Sequence, residues 1–225
     1  MKSTRHTPRD GESSAEAIAR YVRKLVFDGT LTDGQRLPQD EIADTIGVSR
    51  IPVREAIIAL EREGWVTVVP HRGAFVNGLD DQAVMDRFTL YGRFYGFACR
   101  RAIERMTPDA LESVRVCAVK VQKSSNPVAF ERANSDFLGA LVRLAGSSRL
   151  RAVLRSTAQI VPGNFFAIVP GSIEVQRDGI AEIQRALEVG DATRAELAFA
   201  ATERQHAKNV VAMMAERQTV ASAIN

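Results

Sequence analysis

Residues 39–62 hold two short runs of helical periodicity separated by one glycine, and no other stretch limits the fold as strongly. Ile42, Ala43 and Ile46 recur on one face of the first run. Val53, Ala56, Ile57 and Leu60 recur on one face of the second, at helical spacings. Gly47 stands where the chain must turn sharply, a place for positive φ, and small Ala43 lets two helices approach closely. Ser49 is placed to cap the second helix. Two helices so tightly joined read as a helix-turn-helix, and the second begins with exposed Arg50 and Arg54. A helix with that start can enter a DNA major groove.

The flanking residues extend this unit. Ser13 or Ser14 can cap a helix running to about Asp28, with Ile18, Val22, Leu25 and Val26 as its buried stripe. Gly29 and Gly34 bracket a loop, Pro38 marks entry to the helix-turn-helix, and Gly64 ends its second helix. The period then changes: Trp65-Val66-Thr67-Val68-Val69 favours a strand, and Pro70-His71-Arg72-Gly73 is turn material. Ala74-Phe75-Val76 can return as a second strand. Three helices and a two-stranded hairpin make a winged helix-turn-helix over residues 13–77, with His71 and Arg72 at the wing tip.

Bulk charge adds little. The net charge is +3, yet residues 1–78 hold 11 Lys and Arg against 11 Asp and Glu, a net of zero. A DNA-binding surface must therefore come from local placement of arginines. Hydrophobic residues make up 45% of the chain, enough for packed cores, while only 6% are aromatic, which favours helices over sheet. Cys99 and Cys117 share no paired motif and read as two buried thiols in a reducing compartment. The polar N-terminus does not read as a signal peptide, and no apolar run is long enough for a membrane span. A cytoplasmic protein is expected.

After the linker Gly78-Leu79-Asp80-Asp81 the pattern is helical throughout. Asp80 or Asp81 can cap a helix to about Met106. Thr107-Pro108-Asp109 and Asn126-Pro127 are strong helix starts, and Gly146 ends the second of these helices. A further helix is expected from Ser148 to about Val161. The apolar segment from Pro162 to Gly171 reads as a short helix or as a loop over a cavity. Two last helices span about 172–189 and 191–216. The expected fold is mainly α: the winged helix-turn-helix, then an all-α bundle of about six antiparallel helices over residues 81–216.

Five blocks place the first region more narrowly: Gly34-Gln35-Arg36-Leu37; Glu41-Ile42-Ala43; Gly47 to Ala56; Leu60-Glu61-Arg62-Glu63-Gly64-Trp65; and Arg72-Gly73-Ala74-Phe75-Val76. In order and spacing they resemble the GntR family of bacterial transcription regulators. The helical region resembles the sensing (FCD) domain of that family's FadR-like branch, through Phe137, Gly146, Ile183, Ala186-Leu187, Gly190-Asp191 and Ala195. The resemblance covers about residues 13–216 and implies that Ser49, Arg50, Ile51, Pro52 and Arg54 lie at a DNA surface. Arg can bond O6 and N7 of guanine bidentately, and the open N–H groups of a first helical turn suit a phosphate. Arg36, Gln39, His71, Arg72 and Gly73 complete the candidate surface, with Arg36 equally suited to bracing its loop.

The sensing region departs from the branch it resembles. Many of its members bind a divalent metal through one Asp and three His inside the bundle. Aligned on the shared residues, those positions are Asn134, Leu138, Ile180 and Thr202 here. Leu138 and Ile180 cannot ligate a metal, and the chain has only His6, His71 and His206. His206 lies one turn after Thr202, so a misaligned third ligand is conceivable, but one His and one Asn make a poor site. No metal or other cofactor is expected. Leu138 and Ile180 make the cavity more apolar, which suits either an organic effector or a core filled by side chains. Arg87, Tyr91, Arg93, Tyr95, Asn134 and Thr202 are the polar groups that could orient an effector.

The expected function is therefore a regulator acting as a homodimer on a palindromic double-stranded operator, answering to a small organic effector. An effector-independent DNA-binding protein is the alternative. An enzyme is not expected: the sequence has no phosphate loop, nucleophile elbow or Cys–His pair, and Glu182, Glu188 and Asp191 read as solvated charges.

Overall fold

A computed structural model describes residues 13–156 and 164–224, with side-chain environments over 13–154 and 164–217. The chain divides into two compact units, one ending at Asp80 and the other beginning at Asp81.

The first unit holds α1 (Ser14–Phe27), α2 (Gln39–Ile46), α3 (Arg50–Arg62), β1 (Val66–Val69) and β2 (Gly73–Val76). Ser13 closes a capping box with Glu16 at the start of α1. Ile18, Val22 and Val26 are buried from α1, joined by Ala17, Ala19 and Phe27, whereas Leu25 is only half-buried. They meet Val53, Ala56, Ile57 and Leu60 of α3, which carry the core face anticipated for that helix. From α2, Ile42 and Ala43 are buried and Ile46 is half-buried. Arg23 fixes α1 to the end of α3 through two hydrogen bonds to Glu63, 2.9 and 2.8 Å.

The turn between α2 and α3 is made at Gly47, whose φ of 80° is the left-handed value that caps a helix. Gly47 and Val48 both donate to the Ala43 carbonyl, at 2.8 and 3.0 Å. Strands β1 and β2 pair antiparallel, Val66 with Val76 and Val69 with Gly73. The chain before α2 adds to the wing: Leu37 N–H donates to the Ala74 carbonyl at 2.8 Å, and Val76 N–H to the Gln35 carbonyl at 2.8 Å.

The second unit holds α4 (Asp81–Ile103), α5 (Pro108–Lys123), α6 (Pro127–Ala145), α7 (Ser148–Ser156), a single turn α8 (Phe165–Ile168), α9 (Ser172–Glu188) and α10 (Ala192–Ile224). The Thr107 and Asn126 side chains accept from the backbone of Ala110 and Ala129, as their positions before proline require. Helix α6 ends at Gly146. Three boundaries differ from expectation. Helix α4 stops at Ile103 rather than Met106, because the next residues close tighter i→i+3 bonds (Met106 N–H to Ile103 O, 3.1 Å). Helix α10 continues to Ile224, past the expected end near 216; no Gly or Pro interrupts 192–224. The expected end of the Ser148 helix near Val161, and Pro162-Gly163, lie outside the described residues.

Phe130, Phe137, Leu141, Ile180, Ile183 and Phe199 form the fully buried centre of this bundle. Cys99 belongs to it, and burial pushes its thiol up to about 12, so it is inert. Cys117 is only half-buried, contrary to the expectation of two buried thiols: it packs at the edge of the core, beside the Val114, Ala118 and Val121 face of α5. Helices α9 and α10 touch most closely at Gly179: a Cβ there would stand 2.1 Å from Thr202 Oγ1.

Candidate DNA-binding surface and sensor site

Helix α3 buries one face, so the rest of its circumference is presented outward. Arg50, Ile51, Arg54, Glu55 and Ile58 are all exposed, with Ile51 at 69% and Ile58 at 51%. Arg36, Gln39, Asp40, Arg50 and Arg54 line one concave surface of about 450 Å³ where the loop, α2 and α3 meet. Arginines from the loop and from α3 are thus brought together, with the acids Asp40 and Glu41 on the same surface. The Arg50 guanidinium lies 2.9 Å from the Asp40 carboxylate.

Ser49 stands at the N-cap of α3 with extended backbone, but its side chain makes no capping hydrogen bond, correcting the expectation. An N-cap hydroxyl accepts from the second or third residue of the helix, and here the third is Pro52, which has no N–H. The hydroxyl and the first-turn N–H groups thus face outward uncommitted to each other.

In the wing, His71 adopts φ 61° and is exposed with Arg72. Arg72 reaches over the Phe75 ring, 5.8 Å from its centroid. Gly73 leaves room for Arg36: a Cβ would stand 3.1 Å from Arg36 Nε. Arg36 is exposed and packs against Gly73 of the wing, which fits the bracing of its loop.

In the bundle, the structure gathers a different polar group from the one expected. Gln176 Nε2 donates to Asn134 Oδ1 at 2.8 Å, and Gln176 Oε1 lies 2.8 Å from His206 Nε2. This chain links α6, α9 and α10, and all three residues are buried. His206 is ringed by Phe88, Phe165 and Phe166, with centroids at 6.4, 5.0 and 6.4 Å. Burial lowers its pKa to about 4, so the ring is neutral at neutral pH. One turn earlier on α10, burial raises the Glu203 carboxyl to about 8. Tyr91 is pushed well above its ordinary value, first by burial and then by the neighbouring Tyr95 and Glu203. Tyr91 and Tyr95 touch at 4.7 Å, and Tyr95 stacks on Phe199 at 5.0 Å.

Of the anticipated effector contacts, Asn134 is one end of the polar chain, Tyr91 neighbours Tyr95 and Glu203, and Arg87 is half-buried. Arg93 is exposed on α4 and does not reach the group. Leu138 and Ile180 are apolar core. Thr202 is used up by packing: its hydroxyl donates to the Ala198 carbonyl at 2.9 Å, against Gly179. The polar residues of α9 and α10, Gln176 and His206, stand one helical turn from Ile180 and Thr202. Gln176, Glu203 and the three phenylalanines were not singled out from sequence. The His206–Glu203 spacing on one helix face was the available signal.

The donor set does not fit the divalent metal of the resembled branch. Two of the four positions carry hydrocarbon, Thr202 bonds its own helix and Asn134 bonds Gln176. Among the described residues, no group of three or more His, Cys, Asp or Glu converges.

Comparison with known proteins agrees with both units. Residues 14–76 match the gntR family of bacterial regulatory proteins, and residues 95–218 match the FCD domain. An uncharacterized HTH-type transcriptional regulator of Mycobacterium tuberculosis (strain ATCC 25618 / H37Rv) is 28% identical over 156 residues. That match covers 69% of this chain and 64% of the relative. An uncharacterized HTH-type transcriptional regulator of Streptomyces ambofaciens is 33% identical over 61% of this chain and 58% of its own length. The crystal structure of a GntR family transcriptional regulator from Pseudomonas syringae pv. tomato str. DC3000 shares the fold. It superposes with a TM-score of 0.57 at 23% identity, covering 96% of this chain and 92% of that one. With both matched domains in this order, the chain belongs to the gntR family of bacterial regulatory proteins, in the branch that carries an FCD domain.

Proposed function

We propose that the protein is a sequence-specific DNA-binding transcriptional regulator whose helical unit answers to a small organic effector. The observation that carries this reading is the outward face of α3, with Arg50, Ile51, Arg54 and Ile58 exposed beside the arginine-lined concavity. Arg50 and Arg54 suit guanine edges, and the isoleucines suit thymine methyl groups. Ser49 and the first-turn N–H groups suit a phosphate, as do Arg36, His71 and Arg72, while Gln39 and Pro52 shape the approach. Two such heads, from a homodimer, would address a palindromic operator with half-sites one helical turn apart.

The reading has no catalytic step. The buried polar groups of the bundle are paired or neutral, and the sensor works without a metal. The relatives are named as transcriptional regulators, which supports the same view. No helix among the described residues is long and apolar enough to cross a membrane, in keeping with action on DNA in the cytoplasm.

Selection of bound duplexes from a random pool tests the proposal. A two-fold symmetric motif should emerge, and a retarded complex should contain two chains per duplex. Recovery of unrelated sequences only would leave a non-specific DNA binder.

A further inference from the structure

Resting on the sensor reading above, we propose that the bundle recognises an uncharged organic molecule that offers an O–H or N–H donor to His206 Nδ1 and packs an aromatic or aliphatic body against Phe88, Phe165 and Phe166.

The hydrogen-bond chain sets the direction of the proton. Gln176 spends its amide N–H on Asn134 Oδ1, so it turns its carbonyl oxygen to His206 Nε2. A carbonyl only accepts, and Nε2 must therefore carry the ring hydrogen. In a neutral imidazole the other nitrogen is then a bare lone pair. His206 Nδ1 is buried and no hydrogen-bond partner meets it, while the residue as a whole is 2% exposed. A buried ring nitrogen in that state is uncommon and asks for a donor.

The surroundings say what kind of donor. Phe165, Phe166 and Tyr91 are half-buried although Phe165 and Phe166 sit edge-on to each other and to His206. Partly exposed rings packed around a desolvated polar atom match a ligand with an apolar body and one polar handle. Among the described residues of the unit, the polar side chains buried as a whole are Asn134, Ser172, Gln176, Thr202, Glu203 and His206, none a permanent cation, while half-buried Arg177 donates to the Ser124 carbonyl at 2.5 Å and lies over the Phe130 ring. A carboxylate ligand would meet no wholly buried cation, and the carboxyl one turn before His206, Glu203, is itself kept protonated by burial. A metal ion would find one nitrogen and amide groups already bonded to one another.

The probes are 4-propylphenol, its methyl ether 4-propylanisole, 4-propylbenzoate and zinc chloride, each titrated into the full chain by thermal melting. The phenol should raise the melting temperature saturably. The ether should bind at least about tenfold more weakly, the worth of one neutral hydrogen bond, and the benzoate and zinc more weakly still. In His206→Phe, which keeps ring volume in an aromatic nest, phenol and ether should bind alike. Nitrogen-15 NMR of the free wild type should show the hydrogen on Nε2. Equal binding of phenol and ether to the wild type, preference for the anion or for zinc, no binding by any probe, or a hydrogen on Nδ1 each overturns the proposal. Operator retardation by the same sample reports separately on the regulator reading, which survives any of those results if the DNA complex still forms.

Discussion

Arg50 of α3 and Asp40 of α2 face each other across the helix-turn-helix, Nε to carboxylate oxygen 2.9 Å, with 74% and 69% of their side chains exposed. A pair so open to water contributes little to stability and separates readily. If the concavity meets DNA as proposed, a carboxylate at its edge would repel phosphates that are not correctly placed and hold Arg50 in readiness. Asp40→Asn should therefore bind random duplex several-fold more tightly, with a smaller gain on the selected operator, and the melting temperature should hardly move. Fluorescence anisotropy on the two duplexes measures the ratio. An equal gain on both would leave Asp40 with a bulk charge effect only.

Gly179→Ala tests the α9–α10 contact. Replacing glycine by alanine inside a helix normally stabilises by about 1 kcal/mol. Here the added methyl would stand 2.1 Å from Thr202 Oγ1 and 2.8 Å from its Cγ2. Overpacking should win, with a net loss of about 1–3 kcal/mol in urea denaturation. Thr202→Ala in the same chain should recover most of it. A stabilised single variant would mean that the helices separate freely at this point.

The pH dependence of stability should carry the mark of Glu203. Its carboxyl titrates at about 8 in the fold against an ordinary 4.5, with burial as the cause. A raised acid pKa leaves stability untouched below the ordinary value, where both states are protonated. As pH climbs from 4.5 toward 8 the unfolded chain releases a proton that the folded one keeps, so stability falls, by up to about 1.4 kcal/mol per pH unit. Glu203→Gln should therefore melt higher than the wild type near pH 8 and similarly near pH 4.5. His206 acts at the acid end: with its pKa lowered to about 4 from 6.5, it withholds stability as pH falls between those values. Tyr91 and Tyr95 border Glu203 and titrate above this window. A pH-independent difference between wild type and Glu203→Gln would show the carboxyl to be solvated.

Elemental analysis of the purified protein should find no stoichiometric zinc, nickel or manganese, and chelator should leave the melting temperature unchanged. One tightly held equivalent per chain would contradict the metal-free sensor.

The DNA-binding unit was largely legible in the residues because its signals are local. Gly47, the apolar spacing on α2 and α3 and the change of period at Trp65 each speak for a few neighbouring residues. What escaped was set across elements. The pairing of Asp40 with Arg50 depends on the angle between two helices. The silent Ser49 cap follows from Pro52 three residues on and could have been read. In the bundle, the helix starts at Thr107 and Asn126 were plain, but not the Asn134–Gln176–His206 chain. It joins three helices at separations of 42 and 30 residues, and an alignment on the resembled metal positions pointed one turn away. Periodicity tells which face of a helix is inward, not which inward residue meets which.

Base reading by Arg50 and Arg54 from the start of α3 is the centre of the proposed function. The decisive measurement is a titration of Arg50→Ala and Arg54→Ala on the selected operator and on a scrambled duplex, at fixed salt. Each variant should lose about 1–3 kcal/mol of discrimination between the two duplexes while melting as the wild type does. Unchanged operator binding by both variants would contradict it.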